Sequence, residues 1–261
     1  LTARFAGVSG GNPALDVETA DTVTVGFVYR PELIEGLSIT VDYWDVEITD
    51  AISAVDSGDI LEGCFDSASY PNLGFCNAFT RRADGGLNFL ETGQINFAKL
   101  EARGLDFAAT YDFSVGENDF GVRLQGSRQE RLDRFFNPLD QSDVDPEIME
   151  LQRPRLFGSL GLSWNRGPVR VGLQTIYQGK QAVAEVEEVR GIAGLDPLYG
   201  SAGFFHNVLI SDLNARYQWN DGLSVFGGIN NLWDEEPFST QTAWPVGPRG
   251  RTLFLGLSYS L

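Results

Sequence analysis

The chain is poor in the side chains from which most catalytic and metal sites are built. Its 261 residues include one histidine, His206, and two cysteines. No Glu-x-x-His spacing and no cysteine cluster accompanies that histidine, which argues against the usual metal sites. A Gly-x-Ser-x-Gly elbow, a phosphate loop and a dinucleotide fingerprint are also missing. We therefore expect no catalytic residue, no metal ligand, no cofactor and no enzymatic activity, with His206 in a structural or solvated role.

Long apolar runs are missing as well. No stretch approaches the roughly 20 apolar residues of a transmembrane helix, and no signal peptide precedes the first strand-like segment. Apolar and polar residues alternate instead with a period of two, which is typical of β-strands. We predict strands over 19–30, 37–52, 93–113, 119–129, 151–164, 169–182, 207–219, 223–231 and 249–261.

The links between these strands alternate between short and long. In order they contain 6, 40, 5, 21, 4, 24, 3 and 17 residues. Tight turns at one end and long loops at the other are typical of an outer-membrane β-barrel, in which the short turns face the periplasm. The predicted fold class is all-β, an antiparallel up-and-down transmembrane β-barrel, represented here by about nine strands.

Charge follows the same division. The formal net charge is −17, and the four long links carry −4, −5, −3 and −3 of it in chain order. The strands and short turns are therefore almost neutral, as expected if strands cross hydrocarbon and long links meet water. An acidic soluble protein with charged loops is the alternative interpretation.

The two faces of each strand differ in polarity. In the last strand Leu253, Leu255 and Leu257 alternate with small or polar residues. We expect the apolar face to meet lipid and the other face to line a wet lumen, although a soluble sandwich shows the same alternation. The candidate lumen-facing residues are Thr24, Arg123, Gln125, Arg170, Gln174, Asp212, Asn214 and Arg216.

Aromatic residues favour the membrane interpretation, because they cluster at strand ends. Two interfacial belts are expected from this placement, whereas a soluble core would bury such residues in mid-strand. The residues beside short links are Tyr29, Phe113, Phe120, Trp164, Trp219 and Tyr259, and those toward the long links are Tyr43, Tyr177 and Trp233.

Several motifs occur in an order that resembles the C-terminal barrel of TonB-dependent outer-membrane receptors. The first is a Gly-Asn-Pro-x-Leu-x-x-Glu segment, in which Val17 stands where the family usually has Pro, followed by two strands. Later matches are Asn96 with Gly104-Leu105-Asp106, and a segment from Asn230 to Phe238. The family-motif positions are Gly11, Asn12, Pro13, Leu15, Glu18, Asn231, Leu232, Pro237, Gly250 and Arg251.

The resemblance implies a bacterial outer-membrane location and a barrel of about 22 strands closed by an N-terminal plug. It also implies that a TonB-ExbB-ExbD complex acts through an N-terminal region. Residues 1–261 are then expected to be a C-terminal fragment of the barrel, without plug and N-terminal strands. Family members more often end in an aromatic residue, whereas this chain ends in Leu261.

The two cysteines, Cys64 and Cys76, lie in the 40-residue link. Pro71, Asn72 and Gly74 between them are suited to turning the chain back. Because an exported loop meets an oxidising compartment, we predict a disulfide that contributes about 3 kcal/mol. Two free thiols are the alternative.

The long links give the only sequence indications about the ligand. Asp140 to Glu147 places carboxylates at alternate positions, yet it lacks the central glycine of an EF-hand loop, so ordinary solvated acid is the simpler interpretation. Acidic loops favour a neutral or cationic ligand over a strongly anionic one. Loop aromatics suit sugar rings, siderophore bodies or loop packing equally well; they are Phe65, Tyr70, Phe75, Phe204, Phe205 and Trp244.

Three classes of function are compatible with these patterns. The first, which the motifs favour, is energy-coupled import of a scarce nutrient such as an oligosaccharide or a siderophore by a TonB-dependent receptor. The second is a passive, porin-like barrel, and the third is a soluble β-rich binding or adhesion module. Outer-membrane lipid is an expected partner in the first two classes, and no nucleic-acid partner is expected.

Overall fold

The computed structural model describes residues 6–13, 15–65, 74–136, 142, 144–182, 203–238 and 244–259. Most of them lie in strands, and a nine-residue helix, α1 (Ser57–Phe65), and a 3-10 helix (Gly74–Asn77) lie between the third and fourth strands. The strands are β1 (Ala6–Gly10), β2 (Thr19–Tyr29), β3 (Leu37–Val55), β4 (Phe79–Arg81), β5 (Leu87–Val115), β6 (Asn118–Phe135), β7 (Asp145–Pro146), β8 (Leu156–Arg166), β9 (Val169–Gln178), β10 (Gln181–Ala182), β11 (Phe204–Phe205), β12 (Val208–Gln218), β13 (Leu223–Asn230) and β14 (Thr252–Tyr259).

The chain divides into two compact units. The first consists of Leu1–Thr22, Val46–Glu101 and Asp133–Pro146, and the second of Val23–Asp45, Ala102–Leu132 and Glu147–Leu261. The main sheet has the up-and-down order β14-β13-β12-β9-β8-β6-β5-β3-β2, with β1 and β4 also paired to β5 and β7 to β6. These nine strands correspond to the nine predicted ones, so the predicted fold class, a partial antiparallel barrel sheet, is confirmed.

Some strand bounds differ from the prediction. The strand predicted over 151–164 is β8, which begins only at Leu156. The residues before it form tight turns, in which Met149 and Gln152 have positive φ. The strand predicted over 169–182 ends at Gln178, and Gln181–Ala182 pairs separately with β11.

The first unit contains elements that the alternation did not predict. β1 pairs in parallel with β5, from Ala6 opposite Phe89 to Gly10 opposite Gly93. The helix α1 begins after Asp56, whose carboxylate accepts a hydrogen bond from the amide of Gly58 at 2.6 Å and so acts as its N-cap. Ile60 and Cys64, four residues apart, are both buried on one helix face.

No helix among the described residues is long and apolar enough to cross a membrane.

Candidate lumenal wall and loop cavity

The strand register of the second unit places the predicted lumen-facing residues on one face of the sheet. Asp212 lies opposite Gln174, Gln174 opposite Gly161, and Gly161 opposite Arg123. Residues directly opposite one another on neighbouring strands share a face. These four residues therefore form one row across β12, β9, β8 and β6.

Two more cross-strand pairs lie nearer the short turns. Asn214 is opposite Gly172, and Arg216 is opposite Arg170. The side chain of Asn214 lies over Gly172, because a Cβ atom there would meet its amide at 3.0 Å. These pairs lie on the same face as the first row, since they are two and four residues away from it along each strand.

The remaining two predicted positions are Gln125 and Thr24. Gln125 lies opposite Ser159, two residues along from Arg123. Thr24 is two residues from Gly26, over which the carboxylate of Asp42 lies. The assignment to a lumen remains a prediction, but the predicted residues of β6, β9 and β12 do share one side of the sheet.

The opposite face is apolar. Val122, Leu162, Leu173 and Leu213 form an unbroken row of cross-strand neighbours. Leu162 is 39% exposed even though β8 lies in the middle of the sheet. The buried apolar clusters of this unit lie elsewhere, around Met149 and Val208, so no protein layer covers this row within the described part of the chain.

Aromatic residues border the apolar face at the short turns. The rings of Phe113 and Phe120 stack with centroids 5.0 Å apart. The indole nitrogen of Trp164 donates a hydrogen bond to the side-chain oxygen of Asn118 at 3.0 Å. An apolar ring body with a polar tip is the arrangement that suits a membrane interface.

One ion pair on the polar face was not predicted from the sequence. Arg123 donates to both carboxylate oxygens of Asp112, at 2.9 and 2.7 Å. The two residues lie on β5 and β6, which are joined by a short link, so their sequence distance of 11 is a usable signal once the hairpin is recognised. The charge of Arg123 is thus already neutralised by its neighbour.

The motif around Asn231 is held by side chains of the polar face. The carboxylate of Asp212 accepts a hydrogen bond from the amide of Asn231 at 2.7 Å. Asn231 is 4% exposed, and its side chain pairs with both the amide and the carbonyl group of Glu235, at 2.8 Å each. Leu232 donates its amide to the carbonyl oxygen of Ser211 at 2.7 Å. Asp212 and this motif therefore stabilise the loop, and the predicted lumen-facing residue has a structural partner.

The end of the same motif is also fixed by local contacts. Pro237 precedes the buried Phe238, whose ring stacks on Phe205 with centroids 4.2 Å apart. Gly250 has a φ of +62°, and the amide of Arg251 donates to the carboxylate of Asp234 at 2.8 Å.

We expect Asn231→Ala to lower the free energy of unfolding of the intact receptor by about 3 kcal/mol. The substitution leaves two backbone groups of Glu235 without partners, and the φ of +52° at this position disfavours alanine. The neighbour Asn230 is exposed and makes one hydrogen bond of 3.3 Å to Thr252, so Asn230→Ala is the matched control. Equal losses for the two variants in urea titrations would contradict this role.

The N-terminal motif is part of the first unit and is held in it by hydrogen bonds. Within Gly11-Asn12-Pro13, the amide group of Asn12 donates to the carbonyl oxygen of Gln94 at 3.0 Å. The carboxylate of Glu18 accepts a hydrogen bond from the amide of Ile52 at 2.6 Å. The side-chain amide of Asn96 donates hydrogen bonds to the backbone carbonyl oxygens of Asp16 and Asp50, at 2.9 and 2.8 Å. Leu15 is the remaining position of this motif, and it is half-buried.

A cavity of about 760 Å³ lies in the first unit, within the size range of small-molecule sites. Its apolar lining comes from α1, the 3-10 helix and β5 and includes Ile60, Phe75 and Ile95. Asn12 and Glu91 add polar groups to the lining. This cavity could not be predicted from the sequence, because its walls come from four separate segments.

Cys64 and Cys76 are joined by a disulfide, with Cα atoms 4.9 Å apart. The bond links α1 to the 3-10 helix, so Ile60 and Phe75 of the cavity wall lie on the two linked segments. Residues 66–73 between them, including Tyr70, lie outside the described residues, as do Asp140, Gln141 and Asp143 of the acidic segment.

Thiol titration of the unreduced, denatured receptor is expected to find no reactive cysteine. In the chain-entropy model, a double Cys64→Ser, Cys76→Ser variant should lose about 3 kcal/mol of loop stability. Detection of two reactive thiols in the unmodified protein would contradict the pairing.

His206 contacts a carboxylate and an aromatic ring. Its Nε2 atom lies 2.7 Å from Oε1 of Glu235, and its ring meets Phe238 edge-on. No group of three or more metal-ligating side chains occurs within the described ranges.

Phe205 and Trp244 pack in the apolar cluster around Val208, and Phe204 packs in the cluster around Met149, which supports the loop-packing interpretation for these aromatics. Phe65 is 67% exposed.

Comparison with solved structures shows the same fold. A mutant of the ferric enterobactin receptor from Pseudomonas aeruginosa matches with a TM-score of 0.60 and 18% identity over 95% of this chain and 32% of its own. The siderophore receptor PirA from Acinetobacter baumannii matches with a TM-score of 0.56 and 15% identity, over 97% and 33% of the two chains. The FrpB iron transporter from Neisseria meningitidis gives 0.54 and 15%, over 97% and 33%.

The chain thus spans about a third of the length of these structures. No curated protein matches it. The family model described as TonB dependent receptor-like, beta-barrel matches residues 2–232, and barrels of this family lie in the bacterial outer membrane, which confirms the predicted location. With the shared motifs, the paired faces and this match over most of its length, the chain belongs to the TonB-dependent receptor β-barrel family.

Proposed function

We propose that this chain forms part of the wall of a receptor that imports a scarce nutrient across the outer membrane with energy supplied through TonB. The observation that carries the proposal is the pair of contrasting faces on one sheet. The row Arg123, Gln174 and Asp212 is polar, and the row Val122, Leu162 and Leu173 is apolar. A wall of this kind separates hydrocarbon from a polar lumen.

Residues 1–261 supply the C-terminal part of that barrel in this proposal. The plug, the remaining strands and the region that meets the TonB-ExbB-ExbD complex belong to the remainder of the receptor. The coverage of about a third of each solved relative supports this division. Receptors and transporters, and not enzymes, are the class to which the relatives belong.

The nutrient class is an oligosaccharide, a siderophore or a similar large solute. Support comes from the cavity of about 760 Å³, whose apolar and aromatic lining fits a ring-bearing ligand. The solved relatives named as siderophore or iron receptors favour the siderophore among these. The net charge of −17 makes a neutral or cationic ligand easier to attract than a strongly anionic one.

Uptake by cells that carry the intact receptor tests the energy coupling. Radiolabelled nutrient should accumulate in energised cells and should fail to accumulate after a protonophore is added or after TonB is deleted. The same cells with a known passive porin serve as the control for nonspecific damage. Uptake that survives both treatments would show a passive, porin-like barrel instead.

A substitution in the cavity links it to this uptake. Ile60→Asn introduces an amide into the apolar wall beside Phe75, so binding of a ring-bearing nutrient should weaken. Glu62→Gln, at an exposed position of the same helix that is not part of the cavity lining, serves as the control. Equal affinities for the two variants would exclude the cavity from nutrient binding.

A further inference from the structure

Two arginines lie directly opposite each other on the polar face. Arg170 is the second residue of β9, and Arg216 is its partner in the register of β12. Like charges directly opposite on neighbouring strands destabilise a sheet. An anionic group beside the two guanidinium groups would offset this repulsion.

The described residues do not supply that countercharge as an ion pair. Arg123, the third arginine on this face, is held by Asp112 at 2.7 Å, whereas neither Arg170 nor Arg216 pairs with a carboxylate in the described part of the chain. Both side chains are exposed. The two guanidinium groups therefore remain available to a group that approaches the face.

Arg216 is positioned by an aromatic ring. Its guanidinium carbon lies 5.4 Å from the centroid of Phe226, the residue opposite it on β13. The ring of Phe226 in turn lies over Gly256, where a Cβ atom would collide with it. This stack restricts the guanidinium group without using its N–H donors, which reduces the entropy lost when a ligand binds.

A cavity of about 350 Å³ adjoins both arginines, beside the short turns at Gly167 and Asn220. The space exceeds the roughly 30 Å³ share of one water molecule several times. Gln218 and Asn220 add neutral polar groups, and Asp221 adds one carboxylate to the lining. The site carries two positive charges and one negative charge.

We propose that Arg170 and Arg216 together bind one oxyanion, a carboxylate or a phosphate group, on the polar face beside the short turns. Planar guanidinium forks match the oxygen geometry of both groups. The oxyanion neutralises the repulsion that the two arginines otherwise impose on β9 and β12. The inference goes beyond the proposed transport function, because it depends only on the register and contacts of these strands.

The midpoint of the heat-induced band shift of the intact receptor in detergent tests the proposal. The principal variant is Arg170→Gln, which removes one charge without disturbing the stack on Phe226; Arg216→Gln is the second. Each is compared with the unmodified receptor in a chloride buffer and in the same buffer with inorganic phosphate. Arg249→Gln removes an exposed loop arginine and controls for the change in net charge.

A bound oxyanion makes loss of either arginine destabilising, with an expected drop of about 2 °C or more in the midpoint. A drop in the midpoint that appears only in the phosphate buffer shows that the bound group is a free oxyanion from solution. A drop in both buffers identifies a carboxylate carried by the receptor itself. A fourth variant, Asp221→Asn, should leave the midpoint unchanged in either case.

Three results would overturn the proposal. The first is an unchanged or higher midpoint for Arg170→Gln and Arg216→Gln in both buffers, which is expected if the two charges simply repel each other. The second is an equal drop for Arg249→Gln. The third is an equal drop for Asp221→Asn, which would make that residue of the same turn the countercharge.

Discussion

Gly36→Ala is expected to lower the free energy of unfolding of the intact receptor by about 3 kcal/mol or more. Gly36 precedes β3 with a φ of +83°, a conformation that L-residues adopt only at a cost. A Cβ atom there would also collide with the backbone carbonyl oxygen of Asp112. Because Asp112 donates its amide to the carbonyl oxygen of Gly36 at 3.2 Å, relief of the collision would break this contact between turn and strand.

Gly116→Ala separates the two causes. Gly116 also lies in a short link with positive φ, +62°, but no atom lies within 4 Å of the position its Cβ would occupy. This control should lose only the conformational part, about 1 to 2 kcal/mol. Urea titrations of both variants in lipid vesicles give the comparison. Equal losses would show that the turn before β3 does not pack on Asp112 as described.

The second large effect is expected from Leu173→Arg. Leu173 is the fifth residue of β9 and lies between Leu162 and Leu213 in the apolar row. A charge on the lipid face near the middle of a transmembrane strand costs about 2 to 4 kcal/mol. The intact receptor should therefore lose about this much stability in lipid vesicles.

Gln174→Arg provides the matched control on the adjacent residue. Gln174 is exposed on the polar face and lies opposite Asp212 and Gly161. The same arginine side chain then points away from the apolar row, where its cost should be at most about 1 kcal/mol. A larger loss for Gln174→Arg than for Leu173→Arg would reverse the assignment of the faces.

The strands and their faces could be predicted because both depend on local alternation. The polarity of Arg170, Gly172 and Gln174 against Val171 and Leu173 is visible in the sequence and has the same phase in the register. The ordered motifs were likewise sufficient to indicate the family. These features need no knowledge of distant contacts.

The elements of the long links could not be predicted in the same way. The helix α1 has too few residues for a periodic signal, although Asp56 as an N-cap and the spacing of Ile60 and Cys64 were usable indications. The parallel pairing of β1 with β5 is a long-range contact between segments about 80 residues apart. Met149 and Gln152 carry no turn signal, but Pro154, two residues before β8 begins, was a usable indication of the late start.

The arginine pair illustrates the difference between listing residues and pairing them. Alternation placed Arg170 and Arg216 on the same face, but only the register shows that they are direct neighbours. A hydrogen bond likewise joins Asp212 to the amide of Asn231, so one of its carboxylate oxygens already holds the loop, which its residue type alone does not reveal.

Spin labels on successive residues of β9 test the central claim that one face of this sheet meets lipid and the other meets water. Each position from Arg170 to Tyr177 is replaced in turn by a labelled cysteine in the intact receptor in lipid vesicles. Labels at positions such as Val171 and Leu173 should collide mainly with oxygen dissolved in the lipid, whereas labels at Arg170 and Gln174 should collide mainly with a water-soluble nickel complex. Collision rates without this period of two, or with access to water on both faces, would contradict the account.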